Sequence, residues 1–268
     1  MTKSSLDDVR VYNRALSAEE VRKLYTEGAG TKQNVTTSTG GGQGLSRGLI
    51  GHWTFDGKDV DWTSGKITDR SGNGNFGQIV GMATRTAPTI GKLGQALKFD
   101  GVDDYVNIGN KTAHNFSNQS FSYGAWIKIN SIVNGKVIVG KKTTSGYPMA
   151  GYQLDITNDN GGALQAWVAD DVDYVATLIS GSNLSDNNWH HTFVVIDRAL
   201  QTMTIFVDGV AMSPKDISTV DSVDNTENLI IGVAGNFDGK FPGSIDDVRL
   251  YNRALSASEV QQLYRLGR

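Results

Sequence analysis

From Leu49 to the C-terminus, apolar positions come in short runs that alternate with polar ones and are broken by Gly, Asn, Asp and Ser. Such runs read as strands, because successive strand side chains point to opposite faces. The clearest are LIGHWTF (49–55), ALKFDG (96–101), DYVNIG (104–109), FSYGAWIKI (121–129), KVIVGKK (136–142), YQLDIT (152–157), ALQAWVAD (163–170), WHHTFVVID (189–197), MTIFVDG (203–209), LIIGV (229–233) and SIDDVRLY (244–251). Turn dipeptides such as Ser71-Gly72, Asn134-Gly135, Asp208-Gly209 and Asp238-Gly239 separate several of them. WHHTFVVID and MTIFVDG, joined through RALQT, read as a hairpin. Eleven or more strands with one closing helix predict an all-β fold, two antiparallel sheets packed as a jelly-roll sandwich.

One phrase occurs twice. Residues 6–25 read LDDVRVYNRALSAEEVRKLY and residues 245–264 read IDDVRLYNRALSASEVQQLY, identical at fifteen of twenty positions. The first copy alternates like a strand through residue 13. Ser17 then opens SAEEVRKLY with Glu20 three residues on, the spacing of a capping box. Val21, Leu24 and Tyr25 form one apolar helical stripe, and Gly28 is a natural stop. A unit that ends the chain therefore also begins it, the pattern of an excerpt from a tandem array. Residues 28–47, GAGTKQNVTTSTGGGQGLSR, offer almost nothing to pack and read as a flexible polar linker. The expected organisation is a repeat remnant (1–27), a Gly/Ser/Thr linker (28–47) and one complete domain (48–268). One strand and one short helix are not stable alone. The remnant therefore docks on the domain of a monomer, exchanges in a strand-swapped dimer, or stays disordered.

Composition narrows the function. Hydrophobic content of 38%, with 9% aromatics and a net charge of −3, suits a packed core and excludes a disordered chain. The small charge without a basic stripe argues against nucleic acid as a partner. The chain has no Cys, hence no disulfide framework, thiol nucleophile or thiolate metal site. No apolar run approaches the roughly 20 residues that span a bilayer, so no membrane insertion is expected. The start, MTKSSLDD, lacks an apolar signal core, which in an excerpt says nothing of where the parent protein goes.

The ordered blocks LIGHWTFDG, DRSGNGNFG, LGQALKFDGVDDYVNIG, FSYGAWIK, NWHHTFVVIDRALQTMTIFVDG and FPGSIDDVRLYNRALSASEVQQLY carry a resemblance. Over residues 45–268 the chain resembles a laminin-G-like domain of the concanavalin A-like lectin/glucanase jelly rolls. Residues 4–27 resemble only that family's last strand and helix. The fold hosts lectins, carbohydrate-binding modules, hydrolases, lyases and adhesive spacers, so function rests on the site.

Carboxylates gather at Asp56, at Asp69 in DRSGN, at Asp100 to Asp104 in FDGVDD, and at Asp246-Asp247. A hard cation such as calcium takes six to eight oxygens, partly from carbonyls in Gly-rich turns. The resemblance implies a structural calcium joining the first strand to the last, with Asp246 as a ligand and Asp56 from the other end of the domain. Strict alternation places Asp246 on one face with Val248 and Leu250, where a buried acid needs a partner. The competing reading is an Asp that caps a turn or pairs with Arg249 or Arg253.

Catalysis has little support. The glucanase relatives use paired Glu on a central strand, but the five Glu here (Glu19, Glu20, Glu27, Glu227 and Glu259) all lie outside such strands. The lyase branch uses a Gln-Ile/Val-His strand, and Gln78-Ile79 is followed by Val80. His190 and His191 sit in NWHH at the start of a core strand, where one faces inward as a structural histidine. The chain reads as a non-enzyme.

Binding is the better reading. In YQLDIT, Tyr152, Leu154 and Ile156 share one face; in LQAWVAD, Leu164, Ala166 and Val168 do the same. The opposite faces then show Gln153, Asp155, Gln165 and Trp167 outward, with Tyr147, Tyr174 and Phe237 in polar loops around them. Trp126 and Trp189 read as core. Aromatic faces with short polar groups suit a sugar ring; the competing reading is Trp167 packed under a loop. The expectation is a non-catalytic carbohydrate-binding module of a larger extracellular or bacterial cell-surface protein. Its partner would be a poly- or oligosaccharide. An adhesive spacer that binds other surface proteins is the alternative.

Overall fold

The computed structural model describes residues 44–83, 87–130, 135–143, 149–157, 162–179, 184–235 and 238–268, with only the backbone for 174–179. The expected repeat remnant and most of the linker lie outside them. Among the described residues, two antiparallel sheets of nine strands each form the sandwich. In spatial order the first holds β15 (Val210–Ala211), β14 (Thr202–Val207), β13 (Trp189–Asp197), β8 (Phe121–Lys128), β18 (Pro242–Tyr251), β6 (Gln95–Asp100) and β5 (Pro88–Ile90). In the same sheet β1 (Leu49–Trp53) pairs with β18, and β16 (Lys215–Asp216) pairs with β14. The second holds β12 (Tyr174–Ile179), β11 (Ala163–Ala169), β10 (Gly151–Thr157), β9 (Lys136–Lys142), β17 (Leu229–Ile231), β7 (Tyr105–Gly109), β4 (Gly77–Val80), β3 (Lys66–Ile67) and β2 (Val60–Asp61). The helix α1 (Ala257–Leu266) follows β18.

Alternation fills the interior. Tyr152, Leu154 and Ile156 of β10, with Leu164, Ala166 and Val168 of β11, meet Phe121, Tyr123, Val194 and Ile196 of the first sheet in one cluster. Phe116 stacks on Phe121 with centroids 4.3 Å apart, and Tyr152 tilts against both. The opposite face of the first sheet carries a second apolar cluster. There Phe193, Val195, Phe206 and Tyr251 are covered by Leu255, Val260 and Leu263. Helix α1 reaches them because Ser256 and Glu259 close a reciprocal capping box at its start. Arg253 also grips Glu259 with two guanidinium hydrogen bonds of 2.9 and 2.7 Å.

Two features correct the strict reading of alternation. Strand β18 pairs with β6 through residues 242–245 and with β1 through residues 248–251. Between these halves its register shifts, and Asp247 takes a left-handed backbone with φ +48°. The bulge adds a residue, so Ile245 joins Val248 and Leu250 in the core instead of opposing them. Histidine placement differs too. His191 is buried, but on the helix-covered side beside Trp126, Phe193 and Tyr264. Trp126 is fully buried there, whereas Trp189 is only half-buried.

Candidate functional site

Register makes a block of four outward side chains on the second sheet. Gln153 of β10 stands opposite Trp167 of β11, and Asp155 stands opposite Gln165. On its other side Gln153 faces Gly140 of β9. A Cβ at Gly140 would lie 2.9 Å from the Gln153 Cγ, so glycine leaves the room this side chain occupies. Gln153, Asp155, Gln165, Trp167, Lys142 and Asp238 line a cavity of about 300 Å³, completed by Met149, Val137, Ala234 and two glycines. The sequence signals for Lys142 and Asp238 are modest, because their approach depends on long-range pairing. Tyr147 and Phe237 lie outside the described residues. Tyr174 contributes its backbone to β12, and its side chain lies outside them too.

The polar floor is incompletely paired. Gln153 Nε2 donates to Asp155 Oδ2 at 2.7 Å. That orients the amide and leaves Gln153 Oε1 as an acceptor, and neither it nor Asp155 Oδ1 has a hydrogen-bond partner. Asp155 is only 4% exposed. Burial pushes its carboxyl up to about 6, against the lowering effects of Gln153, Lys142 and Trp167. Burial likewise pulls the Lys142 ammonium down, and the Asp155 charge opposes this. The Lys142 Nζ sits 4.4 Å from the centroid of the Trp167 ring, within cation–π range. Trp167 is turned to this face but is 3% exposed, so its ring is no open stacking platform. Its indole lowers the Asp155 carboxyl from the neighbouring strand.

The acids considered for a metal divide into three groups. Asp69 is fully used, accepting from His52 N, Ser71 N, Ser71 Oγ and Asn75 N at 2.8 to 3.0 Å. Asp100, Asp103 and Asp104 approach one another, but Asp100 and Asp104 accept backbone N–H groups of their own turn. Asp56 and Asp246 converge from opposite ends of the domain on the turn 91–95. Gln95 N donates to Asp56 Oδ1 at 2.9 Å, and Leu93 N donates to Asp246 Oδ2 at 2.8 Å. A Cβ at Gly94 would collide with Asp56, and one at Gly91 would come within 2.6 Å of Asp246. Asp246 is fully buried, its Oδ1 has no partner, and burial pushes its carboxyl up to about 8. An enclosed, uncompensated carboxylate oxygen beside a Gly-rich turn fits a hard cation. Asp247 next to it is spoken for: it pairs with His52 Nε2 at 2.5 Å and Arg249 Nε at 3.0 Å.

Comparison with known proteins agrees with this architecture. The chain is 25% identical over 216 residues to a botulinum-like toxin, eBoNT/J, of Enterococcus sp. (strain 3G1_DIV0629), covering 77% of this chain and 16% of the toxin's length. The chain thus spans about one sixth of that curated relative. The binding domain of Paraclostridial Mosquitocidal Protein 1 has a similar structure, with a TM-score of 0.63 at 20% identity, over 82% of this chain and 52% of that one. So does domain 4 of AbnA, a GH43 extracellular arabinanase from Geobacillus stearothermophilus, solved in complex with arabinotriose. Its TM-score is 0.59 at 19% identity, over 81% of this chain and 98% of that one. Identities this low speak for the fold. The profile of a laminin-G family described as the concanavalin A-like lectin/glucanases superfamily matches residues 100–261. The two-sheet jelly roll and this match together identify the chain as a member of that superfamily.

Proposed function

We propose that this chain is a non-catalytic carbohydrate-binding module of a larger, multi-repeat extracellular protein, and that an oligosaccharide docks over Gln153, Asp155, Gln165 and Trp167. The observation that carries the reading is the pair of buried, unpartnered acceptors, Asp155 Oδ1 and Gln153 Oε1, on two residues that line the cavity. Buried acceptors without donors are costly, and sugar hydroxyls are donors that relieve that cost. The neighbours lend support: one is a toxin binding domain, and another holds arabinotriose. The repeated closing phrase supports the multi-repeat setting. The 3% exposure of Trp167 favours the second reading, an adhesive spacer that binds protein partners.

The test is retention on an immobilised panel of oligosaccharides that includes arabinotriose, with Gln165→Ala alongside. Gln165 lines the cavity and is half-buried, so its loss should weaken retention without unfolding the domain. No retention on any glycan would leave the spacer. Release of shorter sugars from the panel would contradict the non-catalytic part, since Asp155 and Asp238 both line the cavity.

A structural calcium is the second part of the proposal. Asp246 and Asp56 would hold it, and the ion would supply the positive charge that keeps Asp246 ionised. Elemental analysis should find about one calcium per chain, and a chelator should lower the melting temperature. An unchanged melt with no bound ion would remove calcium from the account.

A further inference from the structure

We infer that the cavity selects neutral, hydroxyl-rich sugar units and turns away carboxylated ones, because two ring hydroxyls donate together to Asp155 Oδ1 and Gln153 Oε1. The inference rests on the carbohydrate reading and narrows its ligand. Its basis is the hydrogen-bond inventory of the cavity floor. Gln153 has committed an amide N–H to Asp155 Oδ2, so its free atom is the carbonyl oxygen. Asp155 when ionised has only acceptors, and Oδ1 is the one without a partner. A ligand that satisfies these two acceptors must therefore bring donors. Hydroxyls do so, and those meeting a carboxylate make the stronger, charge-assisted kind of bond.

A sugar carboxylate brings acceptors only and meets the wrong charge. The groups that face the site are the Asp155 carboxylate from β10, the Asp238 carboxylate from the turn after β17, and the Lys142 ammonium from β9. Two acids stand against one base. The Lys142 ammonium lies over the Trp167 ring and within the field of Asp155, so an incoming anion that reached it would stand beside that like charge. The uncharged Gln165 and Trp167 from β11 do not alter this balance.

The same geometry makes binding fall on acidification. Hydroxyl donors favour the ionised carboxyl, and in the free protein this group gains its proton near 6. Going from about pH 7.5 to about pH 5 should therefore weaken binding about tenfold.

The experiment is calorimetric titration of the full chain with arabinotriose, galactotriose and cellotriose, and with the C6-carboxylate counterparts of the last two, at both pH values. The inference expects each acidic sugar to bind at least about tenfold more weakly than its neutral parent, and the neutral affinity to fall with acid. Asp155→Asn, which keeps the shape without the charge, should flatten the pH dependence. An acidic sugar bound as tightly as its parent, or a neutral affinity unmoved by pH, overturns the inference and leaves the carbohydrate reading standing. If no sugar on this panel or the wider one binds, the carbohydrate reading fails and takes the inference with it.

Discussion

The two outward faces of the sandwich carry similar polar rows and finish them in opposite ways. On the first sheet, Asp247, Arg249 and Arg253 project from the end of the chain's repeated phrase, and each charge meets a partner. Asp247 bridges Arg249 and His52, and Arg253 holds Glu259 at the helix cap. The unpartnered atoms nearby are Trp126 Nε1 and His191 Nδ1, on a ring that burial pulls down to about 4, and Asp246 Oδ1 at the proposed calcium site. On the second sheet, a buried carboxyl keeps one oxygen without a donor. The first arrangement makes stability depend on every member. The second leaves a group whose removal should cost binding instead. The repeated phrase encodes the first kind: Asp8, Arg10, Arg14, Ser17 and Glu20 of the early copy correspond to Asp247, Arg249, Arg253, Ser256 and Glu259.

The comparison can be broken in order of effect. Asp247→Ala should be the most damaging, since it leaves the Arg249 guanidinium largely buried without its acid. Urea unfolding should show a loss of about 3–5 kcal/mol. A loss below about 1 kcal/mol would mean the network contributes little more than an exposed ion pair. Ser256→Ala removes the helix cap and should cost about 1 kcal/mol in the same measurement. The pH effects of Glu259 and Asp155 should differ in sign. Arg253 beside Glu259 lowers that carboxyl from its ordinary 4.5 to about 2. Its contribution is present above 4.5 and is lost as pH falls towards 2, a slope that Glu259→Gln should remove. Asp155 is raised from 3.8 to about 6, so the free domain should gain stability as pH falls from 6 towards 3.8. Asp155→Asn should abolish that gain. Thermal melts across this range read both slopes.

Much of this was legible in the residues, and the rest was hidden for physical reasons. Strands β9 and β13 run over the apolar segments read for them, and the core faces of β10 and β11 follow from period-two alternation. Strands β2, β3, β15 and β16 have two residues each, too few to show a period. The bulge in β18 escaped because it turns at Asp247 rather than at a glycine, so no local signal marked the positive φ. The four cavity residues on β10 and β11 could be named because neighbouring alternating runs place their outward rows together. Lys142 could not, because its approach to Trp167 depends on β9 pairing with β10. Gly140, a glycine inside an apolar strand, was the available hint that something comes close there.

The central claim is that Asp155 is kept buried and half-paired to meet a ligand. Its most direct test is to titrate the wild-type domain and Asp155→Asn with the neutral trisaccharide that binds best at about pH 7.5, and to melt both proteins. The account predicts at least about a tenfold loss of affinity with a melting temperature equal to or above that of the wild type. Unchanged affinity, or an affinity loss explained by a large drop in melting temperature, would contradict it.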